Sequence, residues 1–330
     1  MMSFVRRNAA ALAACVSMAA GAGPAGAQTY PERPITLVAP FSVGGDADLS
    51  ARNLAAAAQK YVSQPIVVSN RAGAGGAIGS QLVKEAKPDG YTLLLARVGS
   101  QTLLPALKPS IPYKWSDFTF LGLLERNPFV CVVHVDSPYR TLGDLVGALK
   151  AQPGKLNYST SGPGTILNFG PQLLFDTLGL GKDAAAQVVY KGGGDAALAV
   201  LSREVDFNCA NLTSVIGNVK AGKLRVLMTT TPERWKDIPD VPTVRELGYP
   251  QLEAIVGWSA LYGPPGMSAE LVAYWADVLA KLAKDPAWIA GTERFGGIPG
   301  VMSPAATAMF AADQFAVYDR LGKQLGIELK

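Results

Sequence analysis

The sequence predicts an α/β protein of two domains, with parallel-rich sheets flanked by helices and two crossover strands acting as a hinge. Short apolar strands alternate with helix-period segments along most of the 330 residues, a rhythm that builds parallel sheets covered on both faces. Two long extended stretches, 121–133 and 254–262, interrupt it. Length alone is enough for about two hydrophobic cores.

Strands are read at Ile35–Ala39, 66–69, 91–96, 129–135, 156–159, 186–190, 207–210 and Leu224–Thr229. Helices fall between them at 48–61, 78–86, 141–151 and 194–202. Asp48 stands before an apolar run and is placed to cap it. Thr141 and Asp144 have the spacing of a capping box, with Asp in place of Glu or Gln. The helix over 270–283 starts after the rigid turn Gly263-Pro264-Pro265-Gly266. If the chain leaves one domain at the first extended stretch and returns at the second, domain 1 is 28–127 plus 253–330 and domain 2 is 128–252. A cleft between domains is a common place for a small ligand.

The first 27 residues read as a secretory signal peptide: Arg6 and Arg7, an apolar run from Ala9 to Ala20, then Ala25-Gly26-Ala27, with cleavage before Gln28. Leu12-Ala13-Ala14-Cys15 offers lipid attachment as a minor alternative. Removing Arg6 and Arg7 from 30 basic residues leaves 28 against 26 acidic ones. That balance gives no reason to expect nucleic acid or an anionic membrane as partner. Cys131 and Cys209 remain after cleavage. They are read as two buried thiols on strands, with a disulfide in an oxidising compartment as the alternative.

Two glycine-rich loops carry the functional signal. Pro40-Phe41-Ser42-Val43-Gly44-Gly45-Asp46-Ala47-Asp48 follows the first strand, and Asn70-Arg71-Ala72-Gly73-Ala74-Gly75-Gly76-Ala77-Ile78-Gly79 follows the second. Each sets backbone N–H groups at a helix N-terminus, an arrangement that grips a small anion. The alternative is that the glycines serve tight turns only. The second loop fails as a dinucleotide fingerprint, because the third glycine of G-x-G-x-x-G would fall at Ile78. His134, the one histidine, is read as structural, so a zinc site lacks ligands. No Gly-x-Ser-x-Gly elbow is present for a hydrolase. These readings call for no enzyme, metal site or cofactor and point to binding, with a secreted hydrolase using a Ser and His134 as a distant alternative.

At this point the chain resembles the extracytoplasmic solute-binding proteins of tripartite tricarboxylate transporter systems, the Bug or TctC-like family. The resemblance rests on the two loops, on Tyr30-Pro31-Glu32-Arg33-Pro34-Ile35, and on Pro88-Asp89-Gly90-Tyr91-Thr92-Leu93. It continues in Pro153-Gly154-Lys155-Leu156-Asn157-Tyr158, Tyr190-Lys191-Gly192, Ala221-Gly222-Lys223-Leu224-Arg225 and Pro239-Asp240-Val241-Pro242-Thr243. It implies a two-domain, type II-like periplasmic binding protein that closes on a small carboxylate, held by backbone amides, hydroxyls and bridging water. It implies a monomer whose partners are transporter membrane subunits, with a periplasmic ligand sensor for a membrane signalling protein as the alternative.

The site residues expected are Ser42, Val43, Gly44, Gly45, Asp46 and Asp48 in the first loop, and Gly73, Ala74, Gly75 and Gly76 in the second. Arg97, Gly99, Ser100 and Gln101 form one wall, and Ser161, Gly164, Thr165, Asn168, Asp195 and Asn211 reach in from domain 2. Asp48 orients its loop without touching ligand. Trp258 either stacks on a flat ligand or packs the hinge. Asp46, Arg97 and Gln101 depart from the residues usual in the family at their places. Arg97 is expected to meet a second charge on an aromatic or otherwise apolar dicarboxylate, with Ile166 and Leu167 over its apolar middle; pairing with Asp46, or exposure to solvent, is the alternative.

Overall fold

The computed structural model describes residues 30–329. The leader, its cleavage site and Cys15 lie outside the described residues. Among those described, no helix is long and apolar enough to cross a membrane.

β1 (Ile35–Ala39) leads into α1 (Asp46–Ala58), and β2 (Ile66–Asn70) into α2 (Ala77–Lys84). β3 (Thr92–Arg97) passes through a wide turn over Gly99–Leu103 into the short α3 (Leu104–Leu107). β4 (Thr119–Asn127) and β5 (Phe129–His134) follow, separated by Pro128. Then come α4 (Leu142–Ala151), β6 (Asn157–Thr160), α5 (Ile166–Thr177), β7 (Ala186–Val189), α6 (Gly193–Leu201), β8 (Phe207–Asn211), α7 (Leu212–Lys220) and β9 (Leu224–Thr229). β10 (Gly257–Gly263) precedes α8 (Ala269–Leu282), α9 (Pro286–Arg294), the two-residue β11 (Ile298–Pro299) and α10 (Pro304–Gln324).

The strands form two sheets. One has six strands in the order β11-β4-β10-β3-β1-β2, the other five in the order β7-β6-β8-β5-β9. Strands joined through helices pair in parallel: β1 with β2 and β3, and β6 with β7 and β8. The extended stretches behave differently. β10 runs antiparallel between β3 and β4, and β5 antiparallel between β8 and β9. Proline at 128 cannot donate to a ladder, and it falls where the chain passes from the first sheet to the second.

Alternation along the strands divides the core. Ile35, Leu37 and Ala39 face α1 and α8, against Leu54, Trp275, Val278 and Leu282. Val38 and Leu94 face the other way, into a cluster shared with Phe129, Cys131 and Val133 of β5. Val130 and Val132, one step out of phase, pack under α6 and α7 with Val200, Val215 and Ile216. The period of two in side-chain direction makes these three clusters from two sheets.

Helix ends follow sequence chemistry. Thr141 Oγ1 accepts the Asp144 N–H at 3.1 Å, and Asp144 returns the bond by accepting from Thr141 N at 2.9 Å, so Asp completes a capping box. Asp285 caps α9 by accepting from Ala287 N at 2.7 Å, and also from Lys60 Nζ and Tyr61 OH. The Lys60 and Tyr61 bonds hold its pKa down at about 2. Asp48 departs from its expected place. α1 starts two residues earlier with Gly45 as N-cap, and Asp48 lies in the first turn. Its Oδ2 accepts from Gly44 N at 3.0 Å, so it folds the loop back onto the helix.

The cysteines are bonded to each other, which corrects the reading of two free thiols. They stand directly opposite in the β5–β8 ladder, and strand pairing of this kind cannot be read from spacing along the chain.

Candidate functional site

The ends of β1, β3, β6 and β8 and the starts of α1, α5 and α6 converge between the two sheets. They enclose an inner cavity of about 20 Å³ walled by Phe41, Asp46, Arg97, Val98, Gly99, Ser161, Thr165, Ile166, Leu167, Gly193 and Asn211. That volume holds about one water. Six expected residues meet here: Asp46, Arg97, Gly99, Ser161, Thr165 and Asn211. Ile166 and Leu167 line its apolar side.

The cavity floor is charged. The Arg97 guanidinium is 2% exposed. It donates from Nη2 to Asp46 Oδ2 and, at 3.2 Å, to Asn127 Oδ1, and from Nη1 to Ser259 Oγ. Ser259 donates in turn to Glu125 Oε1 at 2.9 Å, and Ser50 Oγ also donates to that carboxylate. In this structure the guanidinium is thus paired with Asp46, the alternative weighed for it. Burying these ions costs hydration, and their mutual attraction together with the surrounding hydrogen bonds offsets it.

Asp46 also reaches across to the second sheet. Its Oδ2 accepts from Asn211 Nδ2 at the end of β8, while its own N–H donates to Ser214 Oγ of α7 at 3.2 Å. Its Oδ1 accepts from Ala47 N at 2.8 Å. The positive end of α1 is therefore met by a carboxylate of the chain itself. Beside it the backbone approach is very close: a Cβ on Gly45 would stand 2.9 Å from Gly194 N, and one on Gly194 would stand 2.7 Å from Val43 O. Here the glycines serve contact between the two halves of the molecule and not only a turn. Gly44, with φ +78° and open space around its Cβ position, is the turn glycine. Ser42 Oγ is buried without a hydrogen-bond partner.

The second loop takes another place. Gly73, Ala74 and Gly75 line an outer groove of about 700 Å³ with Ile78, Leu104, Lys108, Ser161, Pro163, Tyr190 and Lys191. Ser161 belongs to both spaces and joins them. Gly75 adopts φ +64°, and its Cβ position lies 3.1 Å from Pro163 O.

Other expected residues are turned elsewhere. Gln101 is fully buried and donates to Ser80 Oγ at 2.8 Å. The Ser100 carbonyl accepts from Tyr113 OH. Asn168 donates to Gln187 Oε1 at 2.7 Å. Asp195 sits in the first turn of α6 and, like Gly76 and Gly164, lines neither space. Trp258 is fully buried against Tyr262 and Phe310, and it packs the returning strand. The residues missed were Phe41, Val98 and Gly193, and the polar support from Ser50, Glu125, Asn127, Ser214 and Ser259. Glu125 carried a legible signal: a carboxylate at the end of the apolar run Leu121-Gly122-Leu123-Leu124.

Among the described residues no group of three or more His, Cys, Asp or Glu is placed to hold a metal. His134 accepts from Asp136 N at 3.2 Å at the far end of β5, a structural position.

Comparison with known proteins fixes the family. Residues 50–327 match the tripartite tricarboxylate transporter family receptor, TctC. The chain belongs to the TctC family. The protein BugT of Bordetella pertussis is 32% identical over 318 residues, covering 96% of each chain. The periplasmic binding protein BugD matches in structure with a TM-score of 0.86 at 28% identity, over 91% of this chain and 100% of that one. MatC of Rhodopseudomonas palustris, solved with malate, matches with a TM-score of 0.83 at 26% identity, over 88% and 99%. Rpa4515 of R. palustris, solved with adipate, matches with a TM-score of 0.85 at 27% identity, over 91% and 99%. This TctC-family chain is thus a solute-binding receptor built on the α/β architecture that its sequence predicts.

Proposed function

We propose that this receptor captures a small organic acid between two domains, 28–127 plus 253–330 and 128–252, and presents it to transporter membrane subunits. In this reading the leader over residues 1–27 delivers it to the periplasm, and the hinge lies at the β4–β5 passage and the strand leading into β10. The observation that carries the reading is the inner cavity itself. Both sheets wall it, the N-termini of α1, α5 and α6 and the Arg97 guanidinium converge on it, and Ser161 connects it to the outer groove. Oriented backbone amides and a guanidinium suit an oxyanion. The malate and adipate in related structures support the same ligand class.

Closing on an acid requires the two halves to part first, because the inner space holds about one water. Once the acid is seated, Ile166 and Leu167 cover its apolar part and the hydroxyls of Ser161 and Thr165 supply further hydrogen bonds. No bond of the ligand has to break.

The test is thermal unfolding of the mature protein against mono-, di- and tricarboxylates, aromatic acids and amino acids. An acid at a hundred times its Kd adds about 2.7 kcal/mol to stability, a clear upward shift of the transition. Absence of any shift across the panel, from protein stripped of co-purifying ligand by refolding, would overturn acid capture.

A further inference from the structure

We infer that Asp46 is a tethered carboxylate that occupies the receptor's own acid grip and sets which ligands can displace it. This rests on the acid-capture reading and concerns the same cavity.

Three features of Asp46 lead there. It stands at the first position of α1, where a helix N-terminus favours negative charge. Its Oδ2 takes the donors that a ligand oxyanion would use, from Arg97 on the first sheet and Asn211 on the second. Its backbone N–H is spent on Ser214 of α7. One residue therefore fills the anion position and joins the two halves of the molecule through side chain and main chain together.

The charge around it sharpens the consequence. The buried ions of the cavity floor are Asp46, Glu125 and Arg97, and the single guanidinium already bonds the Asp46 carboxylate. An incoming carboxylate cannot share the α1 terminus with Asp46, because like charges at contact distance repel strongly where water is excluded. It must drive Asp46 out, breaking the Asn211 bond that spans the cleft. A tethered group is present at high effective concentration, so only an acid that adds contacts of its own competes well. Ser161, Ile166 and Leu167 offer such contacts. A bare small anion makes none of the apolar ones and is rejected; a larger acid, whose apolar body lies on Ile166 and Leu167 and whose far end enters the outer groove past Ser161, is selected. Asp46 is thus a specificity residue that acts by competition.

The experiment compares wild type with Asp46→Ala and the isosteric Asp46→Asn, using calorimetric titration with acetate, malate, adipate and aspartate, and small-angle scattering before any acid is added. If the tether holds the grip nine-tenths of the time, removing it tightens acid binding about tenfold. Asp46→Ala is expected to show that gain for malate and adipate and measurable binding of acetate, with a smaller gain in Asp46→Asn. It also scatters as a more extended particle than wild type. Unchanged or weaker acid binding in both variants would overturn the inference, as would identical scattering. A wild-type preference for aspartate over malate that disappears in Asp46→Ala would also overturn it, by placing Asp46 against a ligand ammonium. Acid binding to wild type with no gain in the variants removes the tether and leaves acid capture standing. If no acid binds any of the three proteins, acid capture fails, and the scattering comparison alone decides whether Asp46 holds the halves together.

Discussion

The two glycine-rich loops look alike in sequence and do different work. The first, ahead of α1, is driven against the start of α6, with Gly45 against Gly194 and Asp46 bonded to Asn211 and Ser214 across the cleft. The second, ahead of α2, lies along the outer groove, where Ala74, Gly75 and Gly76 all take positive φ and exposed Ile78 follows them. One loop is a contact surface with a fixed charge, the other an open rim shaped by backbone conformation. A glycine motif alone therefore does not say whether glycine is needed for closeness or for curvature. The neighbour across the cleft decides.

The sharpest way to separate the loops is to remove the cation beneath the first. Arg97→Ala leaves Asp46 buried without its guanidinium, to which Glu125 is linked through Ser259, at a cost of about 3–5 kcal/mol in denaturant unfolding. Among the described residues that line the outer groove beside the second loop, none is a buried ion, and a cost below about 1 kcal/mol for Arg97→Ala would mean that the buried network is far wetter than its burial indicates. Next in size is Gly45→Ala. Its Cβ must push back the α6 backbone, so overpacking of about 1–3 kcal/mol falls on closure, read as weaker acid binding and a more extended particle. Gly75→Ala forces a side chain into the left-handed region and costs about 1–2 kcal/mol of stability, with acid affinity little changed. If Gly45→Ala and Gly75→Ala behave identically, the contrast between closeness and curvature fails.

A smaller effect follows from Asp48, which anchors the first loop. Burial pushes its pKa up, but bonds from Arg52, Gly44 N and Asn70 outweigh burial and hold it below the usual carboxylate value. A carboxyl with a lowered folded-state pKa contributes stability above its unfolded value, about pH 4, and loses it as pH falls through the folded value. Acid titration should show this loss below about pH 4, and Asp48→Asn should flatten the slope without abolishing the part that belongs to Asp285. The smallest effect is expected at Ile78→Ser on the outer rim: 53% exposed, it should stay within about 0.5 kcal/mol of wild type. A larger loss would mean that the groove is covered.

Much of this was legible in the residues. β1 and β9 match the sequence reading to the residue, because each is a mostly apolar run that stops at a turn-prone segment, Pro40 after β1 and Thr230-Thr231-Pro232 after β9. The long α10 was not read. Its buried positions include Thr307, Ala311 and Gly322, too small and polar to print a helical apolar stripe. In the site, Ser161, Thr165 and Asn211 were legible as hydroxyls and an amide in turns after strands. Arg97 was legible by half: pairing with Asp46 stood among its alternatives, but the choice was not, since its partners lie 51 positions before it at Asp46 and 162 after it at Ser259, distances that only the folded sheet closes. Trp258 was read both ways for a related reason: an aromatic on a crossover is equally suited to ligand or core, and only the fold brings Phe310 of α10 against it.

The Cys131–Cys209 bond has a consequence for precision. Sliding β5 by one residue along β8 would turn every side chain of the strand to the opposite face. It would carry Phe129 out of phase with Asn211, its partner at the cleft end of the ladder. A covalent rung two residues from that end forbids the slide. The cross-link thus acts as an index mark for the receptor, setting the amide of Asn211 opposite Asp46 each time the chain folds.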